Sequence, residues 1–115
     1  MKRDMDLVRL ILLEVEQHAD GRSQLQLDIP GYPPEIVTYH IRLLNEAELI
    51  RAVLALSIAH PIDLTWKGHE FLNNVRSDTI WMKVKDLVGD KLGTVSLAVV
   101  QEVATSAARG SLGLG

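Results

Sequence analysis

The stretch PPEIVTYHIRLLNEAELI, from Pro33 to Ile50, constrains the fold of this chain more than any other. At about 100° per residue, Ile36, Val37, His40, Ile41, Leu43, Leu44 and Ala47 share one broad arc. Glu35, Thr38, Tyr39, Arg42, Asn45 and Glu46 take the other. Pro33 and Pro34 suit a helix start, where a missing N–H has no intrahelical partner to lose. Leu49 and Ile50 then open a run too apolar and β-branched for a loop. A helix with one apolar face that passes straight into a strand must bury that face against other elements. An α+β architecture is therefore expected.

On either side the chain supplies those elements. Asp4 or Asp6 can cap a first helix that runs to about His18, with an acidic charge favourable at that end. Its apolar residues, from Leu7 to Val15, leave only Arg9, Glu14, Glu16 and Gln17 for water, which predicts a central helix packed on two sides. Asp20-Gly21 is a turn signal. Leu25, Leu27 and Ile29 alternate with Gln26 and Asp28, so a short half-buried strand is expected there. Between it and Pro33 the string IPGYPP leaves room for no more than a turn. Leu49–Ile58 and Ile62–Leu64 are expected to form a hairpin, with His60-Pro61 between the strands. Thr65 is a good N-cap for a third helix starting at Trp66. Ser77 or Asp78 either caps a new helix or marks a bend in the same one. Ile80, Trp81, Val84, Leu87, Val88 and Leu92 then repeat at helical spacing up to Gly93. Ser96 caps a last helix with Leu97, Val99, Val100, Val103, Ala104 and Ala107 inward and Gly110 as the stop. The closing SLGLG is expected to fray.

The string YHIRLLNEAELI resembles the recognition helix of winged helix-turn-helix proteins, whose pattern is roughly YHL-x-x-L-x-x-AGLI. DLTWKGHEFL, from Asp63 to Leu72, is similar to the LT-x-x-G-x-x-FL segment that follows the wing in many of them. The whole chain, from MKRDMDLVRLILLEVE to VSLAVVQEVA, resembles a small bacterial family often found with prophage genes, the domain of unknown function numbered twenty-five thirteen. The resemblance implies a winged-helix-like core of helix, short strand, helix and β-hairpin wing, with C-terminal helices added. With 115 residues, one domain is the natural count. Its core is expected over about 4–76 and the helical extension over about 77–110. One departure from the pattern matters: a usual motif has a whole helix before the recognition helix, and IPGYPP cannot provide it.

Function is less constrained. No glycine-rich phosphate loop, GxSxG or HExxH occurs, and none of His18, His40, His60 and His69 has a second ligand at metal spacing. No catalytic residue, metal site or cofactor is expected. His40, inside the apolar arc, reads as a core histidine with a backbone hydrogen bond. With no cysteine, no signal-peptide core and no run of ~20 apolar residues, a cytoplasmic chain without a membrane span is expected.

Two partner classes remain. Thr38, Tyr39, Arg42 and Asn45 lie on one outward side of the central segment, and Arg, Asn and Thr are types that read base edges in double-stranded DNA. Lys2 and Arg3 would be a short basic arm. Against this stand a net charge of −3, three glutamates to one arginine between Glu35 and Glu48, and no Lys or Arg from Ala52 to Leu64. The alternative is a protein-interaction adaptor or homodimer that keeps the fold without binding DNA. Ile80, Trp81, Val84, Leu87 and Val88 form a stripe that is either a dimer face or the surface on which the first helix packs.

Overall fold

The computed structural model describes residues 1–111. Its elements are α1 (Met5–His18), α2 (Pro34–Glu46), β1 (Ile50–Leu54), β2 (Ala59–Leu64), α3 (Trp66–Val75), α4 (Asp78–Val88), one 3₁₀ turn at Gly89–Lys91, and α5 (Leu97–Ser111). The architecture is α+β: five helices and one antiparallel hairpin in a winged-helix-like arrangement, with α4 and α5 added after the core elements.

Helix α1 is central, as its wide apolar sector requires. The Asp4 carboxylate accepts the N–H groups of Asp6 and Leu7 and so caps its start. Met5, Leu7, Val8, Ile11, Leu12 and Val15 are buried, against α2 and β2 on one side and α3 on another. Burying each of the larger of these side chains contributes roughly 1.5–3 kcal/mol. Two arginines tie α3 to this helix. Arg9 donates from Nε to the Val75 carbonyl (2.7 Å) and from Nη2 to the Arg76 carbonyl and Asp78 (2.7 Å each), satisfying acceptors at the end of α3. Arg76 forms a bidentate pair with Glu16, both distances 2.6 Å, which holds the Glu16 carboxyl below its ordinary range.

Helix α2 buries Val37, His40, Ile41 and Leu44. It ends in a Schellman motif: Leu49 N–H donates to the Leu44 carbonyl and Glu48 N–H to the Asn45 carbonyl. Glu48, where the winged-helix pattern has glycine, takes the left-handed conformation at φ 63°. Its carbonyl accepts the Thr65 hydroxyl (2.6 Å), whose oxygen also accepts Gly68 N–H as the cap of α3. Gly68 lies directly on the Leu49 backbone, where a Cβ would fall 1.9 Å from the Leu49 carbonyl oxygen. This contact fixes how α3 sits on the root of the hairpin.

The hairpin differs from expectation in two ways. His60 and Pro61 are inside β2, not between the strands, and the turn falls at residues 55–58, closed by Ala55 N–H on the Ile58 carbonyl (2.9 Å). The expected strand at Leu25–Ile29 is absent, although Ile29 is buried, Leu25 and Leu27 are half-buried and Gln26 and Asp28 are exposed, as the alternation demands. The reason is Pro61. Leu25 N–H donates to the Pro61 carbonyl (2.7 Å), but Pro61 has no N–H to return, so a ladder cannot continue. The His60 ring stands in, its Nδ1 3.2 Å from the Leu25 carbonyl.

Beyond α3, Ser77 recaps the chain by accepting Ile80 N–H. Helix α4 ends four residues before Gly93, at Gly89, whose positive φ of 69° leaves the helix. Leu92 therefore packs from a turn. In α5, Val100, Ala104 and Ala107 are buried; Val99 is exposed, and the helix runs through Gly110. The expected fraying of SLGLG falls, past Ser111, outside the described residues.

Candidate functional site

The outer side of α2 and the hairpin beside it form the surface on which the sequence placed its contacts. Thr38, Tyr39, Arg42 and Asn45 share that side, each half-buried. Arg42 is not free. Its Nη2 donates to the carbonyls of Ala55, Leu56 (3.3 Å) and Ile58 (3.1 Å), the acceptors of the hairpin turn. The guanidinium on the side expected to face bases is thus a strut that joins helix to wing. Arg51, the one other cation on the hairpin, forms a bidentate pair with its cross-strand partner Asp63 at 2.7 and 2.6 Å, which raises the Arg51 guanidinium further above its usual range.

The N-terminal arm is likewise engaged. Lys2 is exposed. Arg3 is half-buried and donates from Nη2 to the carbonyls of Leu92 (3.1 Å) and Val95, pinning the loop between α4 and α5. Five of the seven arginines, namely Arg3, Arg9, Arg42, Arg51 and Arg76, thus have intramolecular acceptors. That leaves α2 and the hairpin, whose only Lys or Arg residues are Arg42 and Arg51, without an uncommitted cation to meet phosphates, whose neutralisation supplies most non-specific affinity for nucleic acid.

What the wing offers is apolar. Val53, Leu54 and Ile58 are exposed, and Leu56 at the tip is fully so, at 105%. No charge lies among them between Ala52 and Pro61. Glu46 and Glu48, both exposed, flank the root.

The stripe expected at a dimer face lies elsewhere. Ile80, Trp81 and Val84 are buried in the chain's own core, and Val88 packs against it; Leu87, 69% exposed, is the one large member left to solvent. Trp81 Nε1 donates to Asp6 (2.7 Å), and Lys85 reaches the same carboxylate oxygen (3.2 Å). The stripe is turned into the chain's own core, where α4 packs chiefly against α5 and also against α3, and it reaches α1 through the bond from Trp81 to Asp6.

His40 is wholly buried and satisfied on both ring nitrogens. Nε2 accepts Asp4 N–H (2.7 Å) and Nδ1 faces the Ile36 carbonyl (2.8 Å) as donor. His18 lies 3.3 Å from Glu14, one turn away. Among the described residues, no group of three or more His, Asp or Glu is placed to hold a metal ion. No helix there is long and apolar enough to cross a membrane.

The family model described as "Hypothetical protein (DUF2513)" matches residues 2–94, which include all of the surface just described. The chain belongs to that family. A relative from Haemophilus influenzae (strain ATCC 51907 / DSM 11121 / KW20 / Rd), described as "Uncharacterized protein", is 38% identical over 110 residues, covering 90% of this chain and 92% of the relative. No solved structure matches. Family membership thus extends through α4 and carries no activity with it.

Proposed function

We propose that this DUF2513 protein is a protein-interaction module on a winged-helix-like scaffold, with the wing tip as its contact surface. The observation that carries the reading is the pairing of an apolar, fully exposed tip at Leu56 with an α2 arginine committed to bracing that tip. A wing made for phosphate is served by basic and hydrogen-bonding side chains. A contiguous apolar patch on a rigid support serves a protein surface better. Bracing by Arg42 lowers the ordering cost that a mobile tip would incur on binding.

Duplex DNA is the second reading, favoured by the half-exposed Thr38, Tyr39 and Asn45 on the side of α2 that a winged helix turns toward the major groove. Two measurements separate them. Fluorescence anisotropy against mixed duplex at low salt is expected to show no salt-dependent binding at high micromolar protein. A photo-crosslinking residue at Leu56 is expected to join one discrete protein species in cells, while the same residue at Ser23 does not. Saturable duplex binding that weakens with salt and is lost in Thr38→Ala/Asn45→Ala would overturn the interaction reading in favour of DNA.

A further inference from the structure

The pairing of the hairpin fixes which backbone groups of β1 face outward. Pro61 has no N–H and its carbonyl is held by Leu25, so Pro61 and its cross-strand partner Ala52 turn their backbone groups away from each other. Alternation then turns Val53 inward, toward His60, and Leu54 outward; the inward bond from Ala55 N–H to the Ile58 carbonyl keeps the same phase. The N–H and C=O groups of Ala52 and Leu54 therefore lie along the outer edge of β1, where no cap, turn or side-chain bond among the described residues reaches them. Proteins usually guard such an edge with lysine, proline or a bulge. The strand IRAVL has neither lysine nor proline, its one charge, Arg51, is held by Asp63, and the unpaired residue of the bulge, Ile62, is on β2. Charge along this edge is lopsided. From Glu46 to Pro61 the chain carries Glu46, Glu48 and Arg51; with Arg51 taken, two exposed carboxylates remain, both at the root, while the tip is apolar.

Building on the wing tip as contact surface, we infer that β1 takes an extended segment of a partner protein as an added antiparallel strand, with alternating apolar side chains and a basic C-terminal end. The strand form follows from the outward amides and carbonyls, which supply main-chain affinity. The apolar alternation follows from Leu54 and Leu56, which an added strand would flank at its start. The basic end follows from Glu46 and Glu48: a strand antiparallel to β1 starts beside the tip and finishes at those carboxylates, and complementary charge there fixes its direction. A second copy of the chain fits less well. Two-fold pairing about Ala52 would set Leu56 of each copy beside Glu48 of the other, an apolar side chain against a carboxylate with no cation to meet it.

The test is a titration of ¹⁵N-labelled protein with three peptides capped at both ends: LTVTVTVKR, the same peptide ending in EE, and LTVTVTVKR N-methylated on the two valines that would face Leu54 and Ala52. The basic peptide is expected to shift the Ala52 and Leu54 amides saturably, with a midpoint on the order of 100 μM, and to slow their hydrogen exchange. The acidic peptide should bind at least about tenfold more weakly, and the N-methylated one should leave both amides unmoved. Glu46→Lys/Glu48→Lys, at two exposed positions, is expected to reverse the preference between the basic and acidic peptides. Absence of saturation by about 1 mM, equal affinity for the acidic peptide, binding that survives N-methylation, or shifts of Ala52 and Leu54 on concentrating the protein alone would each overturn the inference, the last in favour of a second copy. A discrete crosslinked partner at Leu56 beside an inert peptide would remove this inference alone; the absence of both would remove the wing-tip reading as well.

Discussion

Replacing Gly68 with alanine tests the joint between the wing and α3. Gly68 lies inside a helix, where Gly→Ala ordinarily stabilises by about 0.5–1 kcal/mol. Here the new Cβ would fall 1.9 Å from the Leu49 carbonyl oxygen and 2.9 Å from its carbon. Neither neighbour is a flexible side chain. Relief requires α3 to withdraw by about 1 Å or more from the root of β1, which opens the packing of Phe71 and Leu72 and strains the Thr65 cap. Overpacking of this severity lies at or beyond the usual ~1–3 kcal/mol, so a net loss of about 3 kcal/mol is expected after the helix-propensity gain. For a chain of this length that lowers Tm by about 12 °C, or the urea midpoint by about 2 M. Gly110→Ala, in α5 with nothing within 4 Å of its Cβ, is the matched control and should be neutral or slightly stabilising. If Gly68→Ala behaves like Gly110→Ala in a urea melt, α3 does not rest on the Leu49 carbonyl and the placement of the hairpin is wrong.

Four other outcomes follow from particular contacts. Glu48→Gly should stabilise by about 0.5–1 kcal/mol, because the left-handed conformation at φ 63° costs glycine nothing; thermal melting reads it, and a loss of stability would refute the Schellman ending of α2. Arg42→Met should lower global stability by only about 1 kcal/mol, since the freed carbonyls can hydrate, yet speed hydrogen exchange at Ala55 and its neighbours; unchanged exchange there would mean that Arg42 does not brace the wing. His40→Leu should cost about 2 kcal/mol by leaving Asp4 N–H without its acceptor, measured by urea unfolding, and a neutral result would argue against that bond. The N–H groups of Ser23 and then Arg22, with the Ser23 hydroxyl, hold the Asp20 carboxyl down from 3.8 to about 2. Since that value is depressed in the folded chain, the turn's preference is complete above pH 3.8 and is lost as pH falls through about 2. The Asp20 carboxyl carbon should titrate near 2 by NMR, and a midpoint near 3.8 would dismiss the turn geometry.

The periodic parts of the fold were legible because they rest on local rules. The buried arc of α2, the caps at Asp4, Thr65 and Ser77, and the central place of α1 follow from spacing and side-chain chemistry alone. What failed was pairing between distant segments. Leu25–Ile29 has the right alternation, yet whether it becomes a strand depends on the residue opposite, and that residue is a proline thirty-odd positions away. The partners of Arg42 were illegible for a related reason. Arg42 has the right type and side for reading bases, but its partners are carbonyls, which every residue has and no sequence pattern distinguishes.

Pro61 also sets which way the sheet can be extended. On its flank of the hairpin an incoming chain finds one carbonyl already taken by Leu25 and no amide to exchange with it, so templated growth stalls after a single contact. The opposite margin, along Ile50–Leu54, carries no such block. Any strand-swapped or fibrillar form of this protein must therefore be seeded from that margin alone, a directional bias imposed by one imino acid.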